Sequence, residues 1–509
     1  MLSRGLGMVR DMLVAYCFGT SLMASAFFVA FTIPNLFRRL FGEGALSAAF
    51  IPVLVETRKE EGDKASWKLV ARVATLLTAV LSIIALFGVL FFSVGLHVPG
   101  LSEKWIATFS LSRIMFPYVL FICLAALAMA VLNSYRHFAT SAFAPTLLNI
   151  LLILAMVGLF PLVGTDPFAR AKTLAWAALI AGAAQLAIQI PALRRFGCPC
   201  RFSSQWSDPR IRQILLLMGP AALGMAVTQF NVLIDRFLAL WIGAWAPAAL
   251  FYSERLIYFP LGVIATAMAT VLLPTFSAHA AEGDHSAMRQ TIIHSLQHIF
   301  FIMAPASIGL LLLAPDILSA IFQNGNFDAQ STMLCARALR FYAPGLVIFS
   351  AAKVLVPSFY AMQDTRTPVR VGIWTVLLNL TLNVAFILLL PLYWRHAGMA
   401  FATVLAEGVG MMVLAVLLAR RLPGLPWREV GISLTRSLFF ALCMAFLVWG
   451  IHLFLPPQLV ARGMAPKFVQ VISLLVAIGA GMSFYLLLAR LFRAPELRDI
   501  QAALRKKKK

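Results

Sequence analysis

The chain has 509 residues, 61% of them hydrophobic and only 12% charged, against roughly 25% charged residues in an ordinary soluble domain; a water-soluble monomer is excluded. Apolar runs of helical length recur from end to end and leave no polar stretch long enough for a separate globular domain. Lys and Arg number 42 against 20 Asp and Glu, a net +22, and in a chain of this kind the location of the excess decides whether it signals nucleic acid or membrane topology.

Taken in chain order, the apolar stretches predict fourteen membrane-spanning helices, at roughly 2–19, 22–41, 66–94, 106–133, 142–163, 170–194, 210–242, 247–279, 288–321, 328–361, 366–391, 396–421, 429–455 and 467–493. The expected fold is all-α, a polytopic membrane protein of about fourteen helices. Arg4 and Arg10 interrupt the first run and no small-residue cleavage site follows it, so this span is expected to stay in the mature protein. An even count puts both termini on one side. With the N-terminus in the cytoplasm, the inner loops and tail hold 24 basic residues and the outer loops six (Lys104, Arg170, Lys172, Arg395, Arg462 and Lys467). That asymmetry follows the positive-inside rule and supports count and orientation together. The terminal run from Arg505 to Lys509 reads as an anchor at anionic headgroups, and no nucleic-acid partner is expected. The six cysteines show no disulfide or zinc spacing, Cys198-Pro-Cys200 being incidental, and no metal or other cofactor is expected.

A repeat appears at a spacing of about 222–230 residues. Asp11, Ala15, Gly19 and Pro34 are answered by Asp235, Ala239, Gly243 and Pro260; Pro52 by Pro274; Pro117 by Pro344; and "PTLLN" (145–149) by "TVLLN" (375–379). Six spans per copy is an even number, so the copies enter the membrane in the same sense. The expected organisation is a six-helix lobe over 1–195, a second over 196–425, and two extra helices with a basic tail over 426–509. Two such lobes flanking a cleft are the usual frame of an alternating-access carrier.

Twelve basic residues lie within or at the ends of spans. Arg72, Arg337, Arg340 and Arg436 sit near ends and are expected to snorkel. Arg10 and Arg255 are deeper, where a charge costs about 2.5–3.5 kcal/mol on insertion scales and implies a wet cavity, a partner or a ligand. Neighbours on a helix point about 100° apart, so Arg10 and Asp11 need not pair, and Asp11 shares a face with Arg4. The surplus of arginine predicts a cationic cavity and an anionic cargo; the guanidinium fork suits phosphate. Pro34, four residues before Arg38, is expected to bend its helix beside that site.

At this point "TIPNLFRRLFGEGALSAAFIPVL" (32–54), with "SRGLGMVRDMLVA" (3–15), "AFAPTLLN" (142–149) and "YSERLIYFPLGVI" (252–264), resembles the lipid II flippase family, MurJ or MviN, over almost the whole chain. The resemblance implies a fourteen-helix carrier of the MOP superfamily, related to MATE drug exporters. Its expected activity is to move the undecaprenyl-pyrophosphate-linked peptidoglycan precursor from the inner to the outer leaflet of the bacterial cytoplasmic membrane. Its expected partners are that precursor, membrane lipids and the cell-wall synthesis machinery. Carried over by position, the substrate-binding residues would be Arg4, Arg10, Asp11, Asn35, Arg38, Glu254 and Arg255, with Ser3 and Glu43 in the same motifs. Ser25 stands where relatives carry Asp, and the last two helices would form a groove for the polyprenyl tail.

Other readings stay open on sequence. A MATE-like exporter of cationic drugs would show an excess of intramembrane acids, and a flippase for another polyprenyl-linked saccharide would show the same arginines. A membrane enzyme acting on polyprenyl phosphates would commonly cluster carboxylates around Mg2+, yet the chain has no Asp-Asp pair, no His-Glu-x-x-His and no Gly-x4-Gly-Lys loop. An enzyme is therefore not expected. A non-transporting scaffold would make the cavity arginines dispensable.

Overall fold

The computed structural model describes residues 2–40, 45–199, 203, 208–461 and 464–506, and among them the chain is helical with no strand. Ten helices or helical runs are long and apolar enough to cross a membrane, and two bent pairs raise the number to twelve. The two remaining predicted spans are the helices Leu2–Phe18 and Leu22–Phe37, of 17 and 16 residues. Both are short for a roughly 30 Å hydrocarbon layer at 1.5 Å per residue. By length and apolarity the described residues give ten to twelve spans and do not by themselves establish a count of fourteen.

Each bent pair falls on one predicted span, 106–133 and 328–361. The first breaks between Glu103–Met115 and Tyr118–Ser134, the second between Ala329–Tyr342 and Gly345–Ala361, each with a 44° bend. Pro117 and Pro344, matched in the repeat, stand at the breaks; each ring removes a backbone donor and crowds the preceding turn.

By contact the chain divides into two compact units, Met1–Ala248 with Asn324–Phe327, and Ala249–Gln323 with Asp328–Lys509. Unit 1 contains a helix that hydropathy did not predict, Ala45–Glu61. Its charged end read as a loop, but Leu46, Ala49, Phe50, Val53 and Leu54 form a buried stripe against Trp67, Val70 and Val131. Tyr118–Ser134 packs on Pro167–Ala187 through small residues, Ala171, Ala175, Ala178 and Ala181 from the latter being buried, which lets two backbones approach where lipid provides no hydrophobic drive. A Cβ at Gly182 would stand 2.6 Å from Tyr118 Cδ2, so only glycine fits there. The four residues 324–327 belong to unit 1 because Asn326 closes the end of Leu2–Phe18: its amide donates to Tyr16 O at 2.9 Å and its Nδ2 to Cys17 O at 2.6 Å. Glu43 and Cys200 lie outside the described residues.

In unit 2 the long helices His285–Leu312, Trp427–Ala461 and Pro466–Leu491 share a core of Phe301, Phe440, Met444, Val448 and Tyr485. The lipid-exposed sides of the last two carry Phe446, Phe454, Leu475 and Met482. A terminal helix, Pro495–Lys506, is held through Glu496, whose carboxylate takes Arg436 Nη2 at 2.5 and 2.6 Å and Ser433 Oγ at 2.5 Å. Arg436 is therefore an ion-pair partner and not a snorkelling cation. Arg72 likewise pairs with Asp208, and Arg337 lies over the Trp394 ring with Nη1 3.4 Å from Tyr393 O. In each case a local acceptor or ring replaces the water that snorkelling would seek.

The turn between Gly345–Ala361 and Arg366–Leu389 gives a pH prediction. Asp364 Oδ1 accepts from the amides of Arg366 and Thr367 at 3.1 and 3.0 Å, and Oδ2 meets Arg421 at 2.8 Å. Partial desolvation opposes the charge, but the Thr367 and Arg366 hydrogen bonds and Arg421 outweigh it and hold the carboxyl below its ordinary 3.8. A depressed pKa contributes stability that is present above the ordinary value and lost as pH falls through the depressed one. Asp364→Ala should cost about 1 kcal/mol at neutral pH. Hydrogen exchange at residues 366–367 should speed up accordingly, and the difference from the parent chain should shrink only below the ordinary carboxylate range. A difference that disappears near pH 6 would contradict this.

Candidate functional site

The first helix places Arg10 within unit 1 beside a fully buried carboxylate. Arg10 Nε and Nη2 donate to Asp11 Oδ1 at 2.9 and 2.6 Å. The neighbours do pair: the long arginine stem folds back across the 100° that separates two consecutive helix positions. On its other side Nη1 donates to Asn149 Oδ1 at 3.1 Å, and Asn149 Nδ2 donates to Ser3 O at 3.0 Å. The guanidinium is clamped between two helices, with 12% of its side chain exposed. Arg4, one to two turns earlier on the same helix, is exposed.

Arg38 lies at the far end of Leu22–Phe37. Pro34 cannot donate to the carbonyl one turn back, and residues 38–40 continue as a wide π turn. Arg38 lines a recess with Gln185 and Gln189. Asn35 turns back on its own helix, its Nδ2 donating to Phe31 O at 2.9 Å. Asn35 thus satisfies a carbonyl inside its helix, and Arg39 reaches Gln229 Oε1 at 3.2 Å.

Unit 2 holds Glu254 and Arg255 on Ala246–Pro260, which again passes through a proline into a π segment, Leu261–Ala265. Both side chains are half-buried. Tyr342 OH donates to Glu254 Oε1 at 3.0 Å, tying it to Ala329–Tyr342, and Ser253 Oγ reaches Cys335 O at 2.8 Å. Pro34 and Pro260 are repeat partners, so each half of the chain places its motif arginine at or just before a helix irregularity of the same type. Such segments recur at functional sites because the wide turn frees backbone groups and re-aims side chains.

Ser25, which the resemblance sets where relatives carry Asp, is fully buried, and its hydroxyl accepts from Ala248 N at 3.2 Å. It caps the first turn of the helix that carries Glu254 and Arg255, a task for which a neutral hydroxyl suffices. Asn149 and Gln189 were not predicted. Asn149 carried a signal, since "PTLLN" had already surfaced in the repeat; Gln189 carried none. Among the described residues no group of three or more His, Cys, Asp and Glu side chains is placed to hold a metal ion.

Comparison with known proteins covers nearly all of this architecture. The profile of the family described as "Lipid II flippase MurJ" matches residues 14–469. A Burkholderia cenocepacia protein named "Lipid II flippase MurJ" is 35% identical over 432 residues, 82% of this chain and 80% of that one. A Rhizobium tropici protein named "Probable lipid II flippase MurJ" is 33% identical over 518 aligned residues, 99% of this chain and 95% of its own. Among solved structures, "Lipid II flippase MurJ, inward closed conformation" superposes with a TM-score of 0.77 at 23% identity, covering 98% and 97% of the two chains. An inward-facing MATE transporter of the MOP superfamily follows at 0.68 and 14%, over 84% of this chain and 95% of its own. At those identities the structural matches speak to fold, and the sequence matches settle kinship: this multi-pass membrane chain belongs to the lipid II flippase MurJ family.

Proposed function

We propose that the chain flips a lipid-linked peptidoglycan precursor, a polyprenyl pyrophosphate bearing saccharide and peptide, from the inner to the outer leaflet of the cytoplasmic membrane by alternating access. Family membership over residues 14–469 carries this reading. The cargo is moved and not chemically altered, and both termini lie in the cytoplasm. Arg4, Arg10 and Arg38 of unit 1 and Arg255 of unit 2 engage the anionic head group, with Asp11, Asn35 and Glu254 positioning them. The clamp of Asp11 and Asn149 on Arg10 supports a preorganised guanidinium, which loses less freedom on binding phosphate than a mobile one would. Residues 1–195 and 196–425 act as the two repeat-related lobes, and residues 426–509 offer the apolar flank for the polyprenyl tail.

An inside-negative potential assists outward movement of an anion by about 2.3 kcal/mol per charge per 100 mV. The decisive measurement is the leaflet in which the precursor resides, in cells with and without the protein and at set membrane potentials. Outer-leaflet exposure should require the protein and rise with the potential. Exposure without the protein, or chemical turnover of the precursor by the purified chain, would overturn the proposal.

A further inference from the structure

Two charges inside unit 2 take no part in the site described above, Lys353 on Gly345–Ala361 and Glu407 on Leu392–Arg421. Each stands at the middle of its helix, at a depth where a charge is costly and faces water, an opposite charge or a ligand rather than lipid. The two helices pack in parallel: a Cβ on Gly345 would stand 2.8 Å from Val404 Cγ2, and one on Gly408 would stand 3.4 Å from Ile348 Cδ1. Counted at about 100° per residue, Lys353 and Glu407 are each about a quarter-turn off that seam and on the same flank of it, about 8 Å apart along the axis. A helical side chain leans back towards the start of its helix, which carries the longer lysine towards the carboxylate. One turn before Glu407, on the same flank, Thr403 Oγ1 accepts from Asn379 Nδ2 at 3.2 Å, so this flank is turned to protein. Lys353 is the charge that acts on Glu407, yet neither side chain forms a hydrogen bond or a salt bridge among the described residues. Lys353 is exposed and Glu407 half-buried.

We infer that Lys353 is a further cation for the anionic head group and Glu407 its counter-ion in the unloaded chain, a phosphate oxygen and the carboxylate competing for one ammonium. The inference rests on the flippase reading and adds a means of release to it. Arg10 is clamped by Asp11 and Asn149 and acts as a fixed fork; a lysine is a compact charge on a flexible stem that can exchange one oxygen for another. When the cargo leaves, Glu407 neutralises the ammonium, so the empty site does not hold an uncompensated cation within the membrane. The carboxylate thereby lowers affinity while the ammonium raises it, and substitutions of the two have effects of opposite sign. A pair that only joined two helices would give losses from either side.

The test measures binding of two probes to the full chain in lipid nanodiscs: undecaprenyl pyrophosphate carrying the disaccharide-peptide, and phosphatidylglycerol as an ordinary anionic lipid. Lys353→Met, which keeps the stem, should weaken the pyrophosphate probe about tenfold, equivalent to 1.4 kcal/mol. Glu407→Gln, of the same shape without the charge, should strengthen it about threefold, and the double variant should match Lys353→Met alone because the carboxylate acts only through the lysine. Phosphatidylglycerol should stay within about twofold throughout, since an ordinary lipid does not share the contact. If a folded Glu407→Gln chain binds the pyrophosphate probe no more tightly than the parent, or Lys353→Met binds it undiminished, the two oxygens do not compete for the ammonium; the inference then fails and the flippase reading stands. A parallel shift of phosphatidylglycerol would make Lys353 a contact for any anionic lipid and overturn the inference as well. Glu407→Gln carries the test by itself should Lys353→Met not insert. If the unmodified chain does not bind the pyrophosphate probe, the flippase reading falls and the role of this pair with it.

Discussion

Replacing Arg10 by Gln is expected to abolish outer-leaflet exposure of the precursor, and Arg255→Gln to do the same. A charge-assisted hydrogen bond contributes about 1.5–3 kcal/mol, so losing one at the phosphate slows transport by roughly ten- to a hundredfold. Arg10 needs a second variant, because its removal also strands the fully buried Asp11; an uncompensated buried charge costs about 3–5 kcal/mol. Arg10→Gln with Asp11→Asn removes that burden. The double variant should insert and fold like the parent chain yet remain inactive. Asn149→Leu, which leaves the ion pair but frees the Nη1 side of the guanidinium, should give a partial loss. Exposure is read by adding to cells a reagent that reacts only with outer-leaflet precursor, with membrane-inserted protein quantified alongside. Full transport by the double variant or by Arg255→Gln would remove these arginines from the site.

The second large effect concerns stability. The Glu496 side chain is 2% exposed and takes two contacts from Arg436, which is 24% exposed, with Ser433 donating a third. Arg436→Met alone should destabilise unit 2 by about 3–5 kcal/mol, since the carboxylate stays buried without its cation. Adding Glu496→Leu should restore most of the loss, because an apolar pair of similar volume is often as good as the ion pair it replaces. Thermal unfolding in detergent, together with protease cleavage before Pro495, distinguishes the cases. Equal instability in the single and double variants would show that the pair is not what anchors the terminal helix.

Hydropathy made most spans legible because each is a long apolar window, and the helices appear where those windows lie. It passed over Ala45–Glu61 because Arg58, Lys59, Glu60 and Glu61 read as a break, while the buried stripe before them is interrupted by Pro52. It also read through the bends at Pro117 and Pro344, since a proline changes direction without changing hydropathy. The candidate site was legible to the extent that charge inside a membrane is costly, which singles out Arg10 and Arg255; Arg38 came from the motif that carries the family resemblance. The amides were less so, because a neutral amide raises no such alarm: Asn149, marked only by the repeat, meets Arg10 across 139 residues, and Gln189, marked by nothing, reaches Ala125 across 64.

The π segments at 38–40 and Leu261–Ala265 have a consequence of phase. Each wide turn acts like one inserted residue, so side chains beyond it are rotated by about 100° from the stripe that an unbroken α-helix would continue. The arginine at or before the wide turn and the apolar residues after it are thereby released from sharing a single face. One helix can then present charge to a wet interior along one part of its length and hydrocarbon to lipid along the next. Deleting a single residue from Leu261–Ala265 would restore continuous winding and swing everything downstream, including Pro274, out of its present alignment.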